Sequence, residues 1–292
     1  MRVRIVLVLC ACAAAAAGCG GSSHAHGVRV VAGENVYGDI AAQIGGAHVH
    51  VTSLLTSPSA DPHLYAPGST SGLAVAKAQL VIQNGLGYDA FMTKLERAAP
   101  SSSRRVLTIA DVLGVRGADA NPHLWYDVPG VPQIAGAIAD ALVHVDPAHA
   151  VTYRRNRVRF VASLAPLDAA IRRIRSAHEG ASIAYTEPVP GYLLAAAGLA
   201  NRSPSGFTRA IEDGTEPSPQ DVSAMYDLVR RHEVRVLLYN AQAVSPITSI
   251  VQHVAEDAHV PVVGVTEMLP PRLTFQQWQL SQARALEDAL GR

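Results

Sequence analysis

The sequence predicts an α/β protein with two lobes, each a parallel β-sheet flanked by helices, joined by one long backbone helix. Short β-branched apolar runs alternate with segments of helical periodicity along most of the chain, and this alternation is typical of parallel sheets with crossover connections. The longest segment with helical periodicity, residues 146–178, lies near the middle of the chain, and strands and helices alternate again after it. The chain therefore divides into two similar halves around one helix.

Composition places the chain among ordinary globular proteins with a large core. It carries 24 Lys+Arg against 24 Asp+Glu, and 49% of its residues are hydrophobic. A nucleic-acid-binding domain shows a basic excess or a basic stripe. Because neither is present, we expect no nucleic-acid partner.

The first 18 residues predict an export signal. Arg2 and Arg4 precede an uncharged run at 5–17, which is shorter than the ~20 residues that a membrane-spanning helix needs and is typical of a cleaved signal. Residues 19–27 then form a short polar tether. Since Cys10 and Cys12 lie inside the signal, the exported chain keeps Cys19 as its one cysteine and forms no internal disulfide.

Residues 28–145 are predicted to form the first lobe. Apolar β-branched runs predict its strands at 28–33, 49–55, 80–83 and 105–109, and helical periodicity predicts its helices at 36–44, 73–78 and 88–98. Gly45 and Gly46 follow the first of these helices as a stop signal.

The linking helix is predicted over 146–178. Asp146 is a favourable N-cap, and Pro147 stands at the first helical position, where its missing N–H costs nothing. Apolar residues then recur every three, four or seven positions from Tyr153 to Ile174. Pro166 costs about 3 kcal/mol inside a helix, so we expect a kink there.

Residues 179–292 are predicted to form the second lobe. The same patterns predict its strands at 181–186, 234–239 and 260–266, and its helices at 191–197, 221–232, 247–257 and 274–290.

Four residues stand where a ligand of two parallel sheets is expected. His63 and His123 each follow a proline in a repeated Pro-His-Leu-aromatic sequence, while Glu187 and Glu267 directly follow predicted strands of the second lobe. Ligands of open parallel sheets bind beyond the carboxyl ends of the strands. Two imidazoles and two carboxylates suit one Zn²⁺, Mn²⁺ or Fe²⁺ ion, so we predict a metal site between the lobes.

Several sequence motifs resemble one known family, the zinc/manganese solute-binding proteins of bacterial metal ABC transporters. They are Asp-Pro-His-Leu-Tyr at 61–65, Gln-Asn-Gly-Leu-Gly-Tyr at 83–88, Asn-Pro-His-Leu-Trp-Tyr-Asp at 121–127, Thr-Glu-Pro at 186–188 and Val-Thr-Glu at 265–267. The likeness extends over nearly all of residues 28–290.

The resemblance implies a two-lobed, non-enzymatic monomer that binds one metal through His63, His123, Glu187 and Glu267 and delivers it to a membrane permease and its ATPase subunit. Ala-Ala-Gly-Cys at 16–19 resembles a lipobox. This implies a lipid anchor on Cys19 and a protein that faces the periplasm or the outer cell surface.

The sequence departs from the family at points that bear on the metal. Ala66 stands where many members have Glu. Zinc-type members often have His in place of Glu187 and manganese-type members usually have Asp in place of Glu267. The long His-rich loop of zinc members is absent, and whether His24 and His26 in the tether assist metal capture stays open. We assign no function to the other histidines, including His48 and His149.

Two alternatives belong to other classes of protein. Gly85 to Ala90 fits G-x-G-x-x-A between a strand and a helix, as in a dinucleotide site, but it follows the third strand rather than the first. A secreted zinc hydrolase could use Glu187 as its general base. The H-E-x-x-H and G-x-S-x-G motifs of common hydrolases are absent from the sequence.

Overall fold

Two parallel four-stranded sheets organise the chain in a computed structural model, which describes residues 27–57 and 65–291. The first sheet has the order β2-β1-β3-β4 and the second the order β6-β5-β7-β8. The strands are β1 (Val28–Glu34), β2 (Val49–Leu55), β3 (Leu80–Gln83), β4 (Arg105–Thr108), β5 (Ser182–Tyr185), β6 (Ala200–Asn201), β7 (Leu237–Asn240) and β8 (Val262–Val265). All paired strands are parallel, which confirms the predicted fold class.

Helices connect and flank these strands. In the first half they are α1 (Asn35–Gly45), α2 (Ser69–Lys77), α3 (Ala90–Ala98), α4 (Ile109–Leu113) and α5 (Val131–Val145). Then follow α6 (Ala150–Ala162), α7 (Ala165–His178), α8 (Gly191–Ala196), α9 (Ser205–Glu212), α10 (Pro219–Arg230), α11 (Pro246–Asp257) and α12 (Phe275–Leu290). The boundaries of the two lobes at 145 and 178 remain a prediction.

In each sheet the first strand along the chain lies between the second and the third. The direction in which strands are added therefore reverses once, between the first strand and the third. In the first sheet this point lies between β1 and β3, and in the second it lies between β5 and β7. A crevice opens outside the carboxyl ends of the strands at such a point, and ligands bind there in open α/β sheets.

Helix α5 is a core element that the sequence analysis missed. Its buried residues do recur at helical spacing, but glycine or alanine occupies five of its fifteen positions, which weakens the apolar signal in the sequence. Length and composition alone would allow Val128–Val145 to cross a membrane, but Ile134, Ile138 and Leu142 are fully buried in the hydrophobic core. Helices α4 and α9 and strand β6, all eight residues or shorter, were also missed.

The linking segment consists of two consecutive helices, and they are interrupted where Pro166 predicted a kink. Helix α6 ends at Ala162 and α7 begins at Ala165; Ser163 and Leu164 between them have ψ angles of −8° and −14°, where an α-helix has about −42°. The cause is Pro166, which lacks the N–H that would bond to the carbonyl of Ala162. Asp146 does not cap the segment with its side chain.

Aromatic packing joins the two halves of the chain. The ring of Tyr126 meets Trp278 of α12 edge-on at a centroid distance of 5.8 Å, and Phe160 of α6 meets Phe275 at 6.2 Å. All four side chains are buried. The same hydrophobic cluster contains residues of both sheets, so apolar burial ties the lobes together.

Candidate metal centre

His123 is buried and its ring orientation is set by a neighbouring amide. It stands just before a 3-10 turn, Leu124–Tyr126. Its backbone N–H and its ring Nδ1 lie 3.0 Å and 2.8 Å from Oδ1 of Asn121. Because an amide oxygen only accepts hydrogen bonds, Nδ1 carries a proton, and Nε2 is the ring nitrogen that a metal ion could bind in place of a proton. This is the arrangement that a metal-binding imidazole needs.

Two buried glutamates meet this imidazole from the second sheet. Glu187 follows β5 and Glu267 follows β8. Nε2 of His123 lies 3.3 Å from Oε2 of Glu267. The Asn240 amide, at the end of β7, donates to Oε2 of Glu187 and, at 2.8 Å, to Oε1 of Glu267. The structure therefore brings three of the four predicted residues into one hydrogen-bonded cluster.

The fourth predicted ligand, His63, lies outside the described residues, as does Cys19. Within residues 27–57 and 65–291, no group of three or more His, Cys, Asp or Glu side chains is arranged so that it could hold a metal ion. Here the Asn240 amide hydrogen-bonds both glutamates. An ion that bound both would compete with this amide for their oxygens.

Two further polar side chains at the site were not predicted from the sequence. Tyr88 donates from its hydroxyl to Oε2 of Glu267 at 2.7 Å, and Oε2 of Glu212 lies 3.9 Å from Nε2 of His123. Tyr88 ends the Gln-Asn-Gly-Leu-Gly-Tyr motif, which was a usable signal. Glu212 ends α9, a helix that the sequence analysis did not detect.

The site concentrates negative charge around one imidazole. Burial alone would lower the pKa of His123, but Glu212, Glu267 and Glu187 together raise it above its ordinary value. Loss of hydration and the nearby Glu267 raise the pKa of Tyr88 well above its usual range, so its hydroxyl remains a donor. Such an arrangement favours a bound cation.

The first lobe holds the His123 loop through Asn84, which directly follows β3. Asn84 donates from Nδ2 to the carbonyl of Pro122 at 2.9 Å and accepts from the Tyr37 hydroxyl at 2.6 Å. The Asp89 carboxylate accepts from the backbone N–H groups of Asn84 and Gly85. The loop behind His123 is therefore fixed by buried hydrogen bonds.

These contacts also count against the dinucleotide alternative. A pyrophosphate would need the backbone N–H groups of the glycine-rich turn. At Gly85 that group already donates to Asp89, 2.9 Å away. Gly85 and Gly87 have positive φ angles of 87° and 84°. They form a turn whose backbone is hydrogen-bonded to the Asp89 carboxylate.

The second lobe positions Glu267 through the backbone on both sides of it. The Thr266 carbonyl accepts from the Tyr126 hydroxyl at 2.7 Å, and Oε1 of Gln242 accepts from the backbone N–H groups of Glu267 and Met268. The Trp278 indole donates to the Thr266 hydroxyl at 3.0 Å. The contacts that join the lobes therefore also orient this carboxylate.

A cavity of about 310 Å³ opens beside the site. Its walls include Pro122, Pro188 and Glu212, and the first two are chain neighbours of His123 and Glu187. Solvent thus comes close to the buried groups from this side.

Comparisons with known proteins agree on one family. Residues 30–289 match the family described as "Zinc-uptake complex component A periplasmic". The chain is 25% identical over 249 residues to the manganese ABC transporter substrate-binding lipoprotein scaA of Streptococcus gordonii, which covers 80% of this chain and 78% of that one. It is 28% identical over 223 residues to the iron-binding protein YfeA of Yersinia pestis, with 74% and 70% covered.

Solved structures share the fold. The periplasmic zinc-binding protein TroA of Treponema pallidum superimposes with a TM-score of 0.77 at 19% identity and covers 90% of this chain and 99% of its own. FpvC of Pseudomonas aeruginosa, in complex with Mn²⁺, gives a TM-score of 0.76 at 19% identity, with 91% and 98% covered.

The Asn240 bridge predicts a pH-dependent effect on stability. In Asn240→Asp a third carboxyl group would face Glu187 and Glu267, and the free energy of unfolding of the metal-free protein should fall by about 3 kcal/mol or more at pH 7. Burial and repulsion would raise the pKa of the new Asp above its unfolded value, so the loss should shrink as pH falls from 7 to 5.

Chemical unfolding in a chelator at both pH values measures this effect. Asn201→Asp at an exposed strand position is the matched control and should change stability by no more than about 0.5 kcal/mol. Equal stabilities of Asn240→Asp and the unmodified protein at pH 7 would contradict the bridging role.

Proposed function

Because the chain belongs to the family of periplasmic zinc-uptake complex component A proteins, we propose that it binds one divalent transition metal, Zn²⁺ or Mn²⁺, between its lobes and delivers it to the permease of an ABC transporter. The observation that carries this proposal is the buried imidazole of His123, whose Nδ1 is held by Asn121 and whose Nε2 faces Glu267 of the other lobe. The metal is the cargo, and no chemical change in it is required.

The proposed ligands are His63, His123, Glu187 and Glu267. Two features support His123 and Glu267. The Nδ1 proton of His123 is held by Asn121, and Glu267 is oriented by backbone contacts on either side, so the orientation of both groups is set before an ion binds. His63 belongs to the set because its Pro-His-Leu-aromatic sequence repeats that of His123.

Placement of the ligands on two lobes links binding to lobe closure. His123 follows the first sheet along the chain, whereas Glu187 and Glu267 follow strands of the second. An ion that coordinates residues of both lobes lowers the free energy of the closed arrangement. A permease could recognise that arrangement, and the cavity beside Pro122 and Pro188 gives the ion a route in.

The hydrolase alternative has no support from these observations. A general base must be free to take a proton from water at a metal ion that keeps an open position. Oε2 of Glu187 instead accepts from the Asn240 amide. The curated relatives described above are named as a transporter's substrate-binding lipoprotein and an iron-binding protein, so we propose binding without turnover.

We further propose that the chain is exported as a monomer and anchored to the membrane by lipid on Cys19, facing the periplasm or the outer cell surface. Its partners would be the permease and the ATPase subunit. Support comes from the lipobox-like sequence at 16–19 and from the relative in S. gordonii, which is named a lipoprotein.

Cys19→Ala should release the protein from the membrane fraction. Stable anchoring takes more than one acyl chain, and all of them would depend on this residue. Fractionation followed by immunoblotting measures the release. Cys12→Ala, within the signal, is the matched control and should stay bound; a Cys19→Ala protein that also stays bound would refute the anchor.

His63→Ala and His123→Ala should each remove most of the metal affinity and leave the fold intact. Each variant takes away an imidazole ligand. His123→Ala also removes a partner of Glu267 and should unfold at a lower temperature, but the hydrophobic core that both sheets share keeps it folded. Calorimetric titration with Zn²⁺ and Mn²⁺, beside thermal unfolding, tests this. His253→Ala, at an exposed position of α11, should bind normally. Unchanged affinity in both variants would remove these histidines from the site.

Glu187→His should shift selectivity toward zinc. A carboxylate can bind Mn²⁺ through two oxygens and supplies negative charge, while imidazole suits Zn²⁺. In competition titrations the ratio of Zn²⁺ to Mn²⁺ affinity should rise. Glu216→His, at an exposed position before α10, serves as the control with an unchanged ratio. A ratio that stays level or falls in Glu187→His would mean that Glu187 is not a ligand.

A further inference from the structure

Two histidines outside the cleft lie face to face on the first lobe. The rings of His48 and His149 stack with their centroids 3.7 Å apart and their planes 20° from parallel. His48 ends the 3-10 turn Gly46–His48 before β2, and His149 ends the turn Pro147–His149 before α6. Two distant parts of the chain thus bring two imidazoles together.

This pair lies far from the candidate metal centre. His48 comes just before the first residue of β2, and Val28, which begins β1, lines the same cavity as His48. The cleft residues follow the opposite, carboxyl ends of the strands. With seven residues in β1, at about 3.3 Å per residue, the two ends of this sheet are separated by roughly 23 Å.

A carboxylate fixes the tautomer of His149. Its Nδ1 lies 2.7 Å from Oδ2 of Asp146, and the same oxygen accepts from the Tyr153 hydroxyl at 2.5 Å. Partial desolvation raises the pKa of Asp146, but these hydrogen bonds outweigh it and hold that pKa below its ordinary value. An ionised carboxylate only accepts, so Nδ1 of His149 donates and Nε2 keeps a lone pair. A histidine that binds metal commonly has such a carboxylate behind it.

The second imidazole is accessible and chemically available. The part of the chain that the structure describes records no hydrogen bond to the ring of His48, and this ring is partly exposed. His48, His149 and Asp146 line a cavity of about 190 Å³, which Gly27 and Gln79 also border. The cavity gives an ion and its remaining waters a place beside both rings.

We propose that His48 and His149 form a second metal site, separate from the cleft, for a transition ion that prefers imidazole, such as Zn²⁺, Cu²⁺ or Ni²⁺. The rings open from their stack so that one nitrogen of each binds the ion, and water completes the coordination. Asp146 and Tyr153 are positioning residues behind His149. With two protein ligands, this site binds more weakly than a four-ligand site.

Calorimetric titration of the purified full-length mature protein in detergent, with Zn²⁺ alone, tests the proposal. The protein should take up a second, weaker equivalent, and His48→Ala and His149→Ala should each lose it. Asp146→Asn should weaken the second equivalent by about 10- to 100-fold, as expected for a group behind a ligand. With Cu²⁺ at the second site, electron paramagnetic resonance should show coupling to imidazole nitrogen, which a purely structural role of the pair would not produce.

Controls separate this site from other histidines. His253→Ala should keep the second equivalent, as should the cleft variant His123→Ala, so failure of the proposed cargo site leaves this test valid. The tether variant His24→Ala/His26→Ala should also keep it. Thermal unfolding in a chelator verifies that each variant folds. No uptake of Zn²⁺ by the cleft variant His123→Ala, uptake outside the cleft that is undiminished in both His48→Ala and His149→Ala, or its loss in the tether variant would overturn the proposal.

Discussion

The structure of the site depends on one constraint, the burial of Glu187 and Glu267 beside His123 at the meeting of two sheets. Removing carboxylates from water is costly unless hydrogen bonds or opposite charge compensate them. The Asn240 amide donates to both glutamates, and the raised pKa of His123 favours its cationic form beside them. A divalent cation would relieve the same excess of negative charge more completely, which is the physical link between this fold and metal binding.

The position of that charge follows from the topology. Both sheets are parallel, and in both the order of strand addition reverses once. Crevices therefore open at the carboxyl ends of their two central strands. Asn84 follows β3 on one side, while Asn240 ends β7 and Glu187 follows β5 on the other. The polar residues of each lobe thus lie at the carboxyl ends of its strands, and the ion would lie between the two lobes.

Lobe packing and ligand geometry are coupled through Thr266. Tyr126, from the loop that carries His123, donates to the Thr266 carbonyl, and Trp278 of α12 donates to its hydroxyl. The same two aromatic rings pack against each other in the core. A change in this packing would therefore move Glu267 as well, whereas the break between α6 and α7 at Ser163 and Leu164 lies away from these contacts.

The sequence by itself determined the fold class, the alternation of strands and helices, and the candidates His63, His123, Glu187 and Glu267, because periodicity and strand ends are local properties of the chain. Only the tertiary structure decided that Asn240 joins two glutamates, that Glu212 and Tyr88 reach the site, and that His48 stacks on His149. These contacts join residues between 27 and 179 positions apart, and no local pattern encodes such pairings. Helix α5 was missed for a related reason: small residues fill much of its buried face, so the sequence signal is weak although Gln133, Asp140 and His144 form a polar face, and its neighbours in the core become apparent only once the chain has folded.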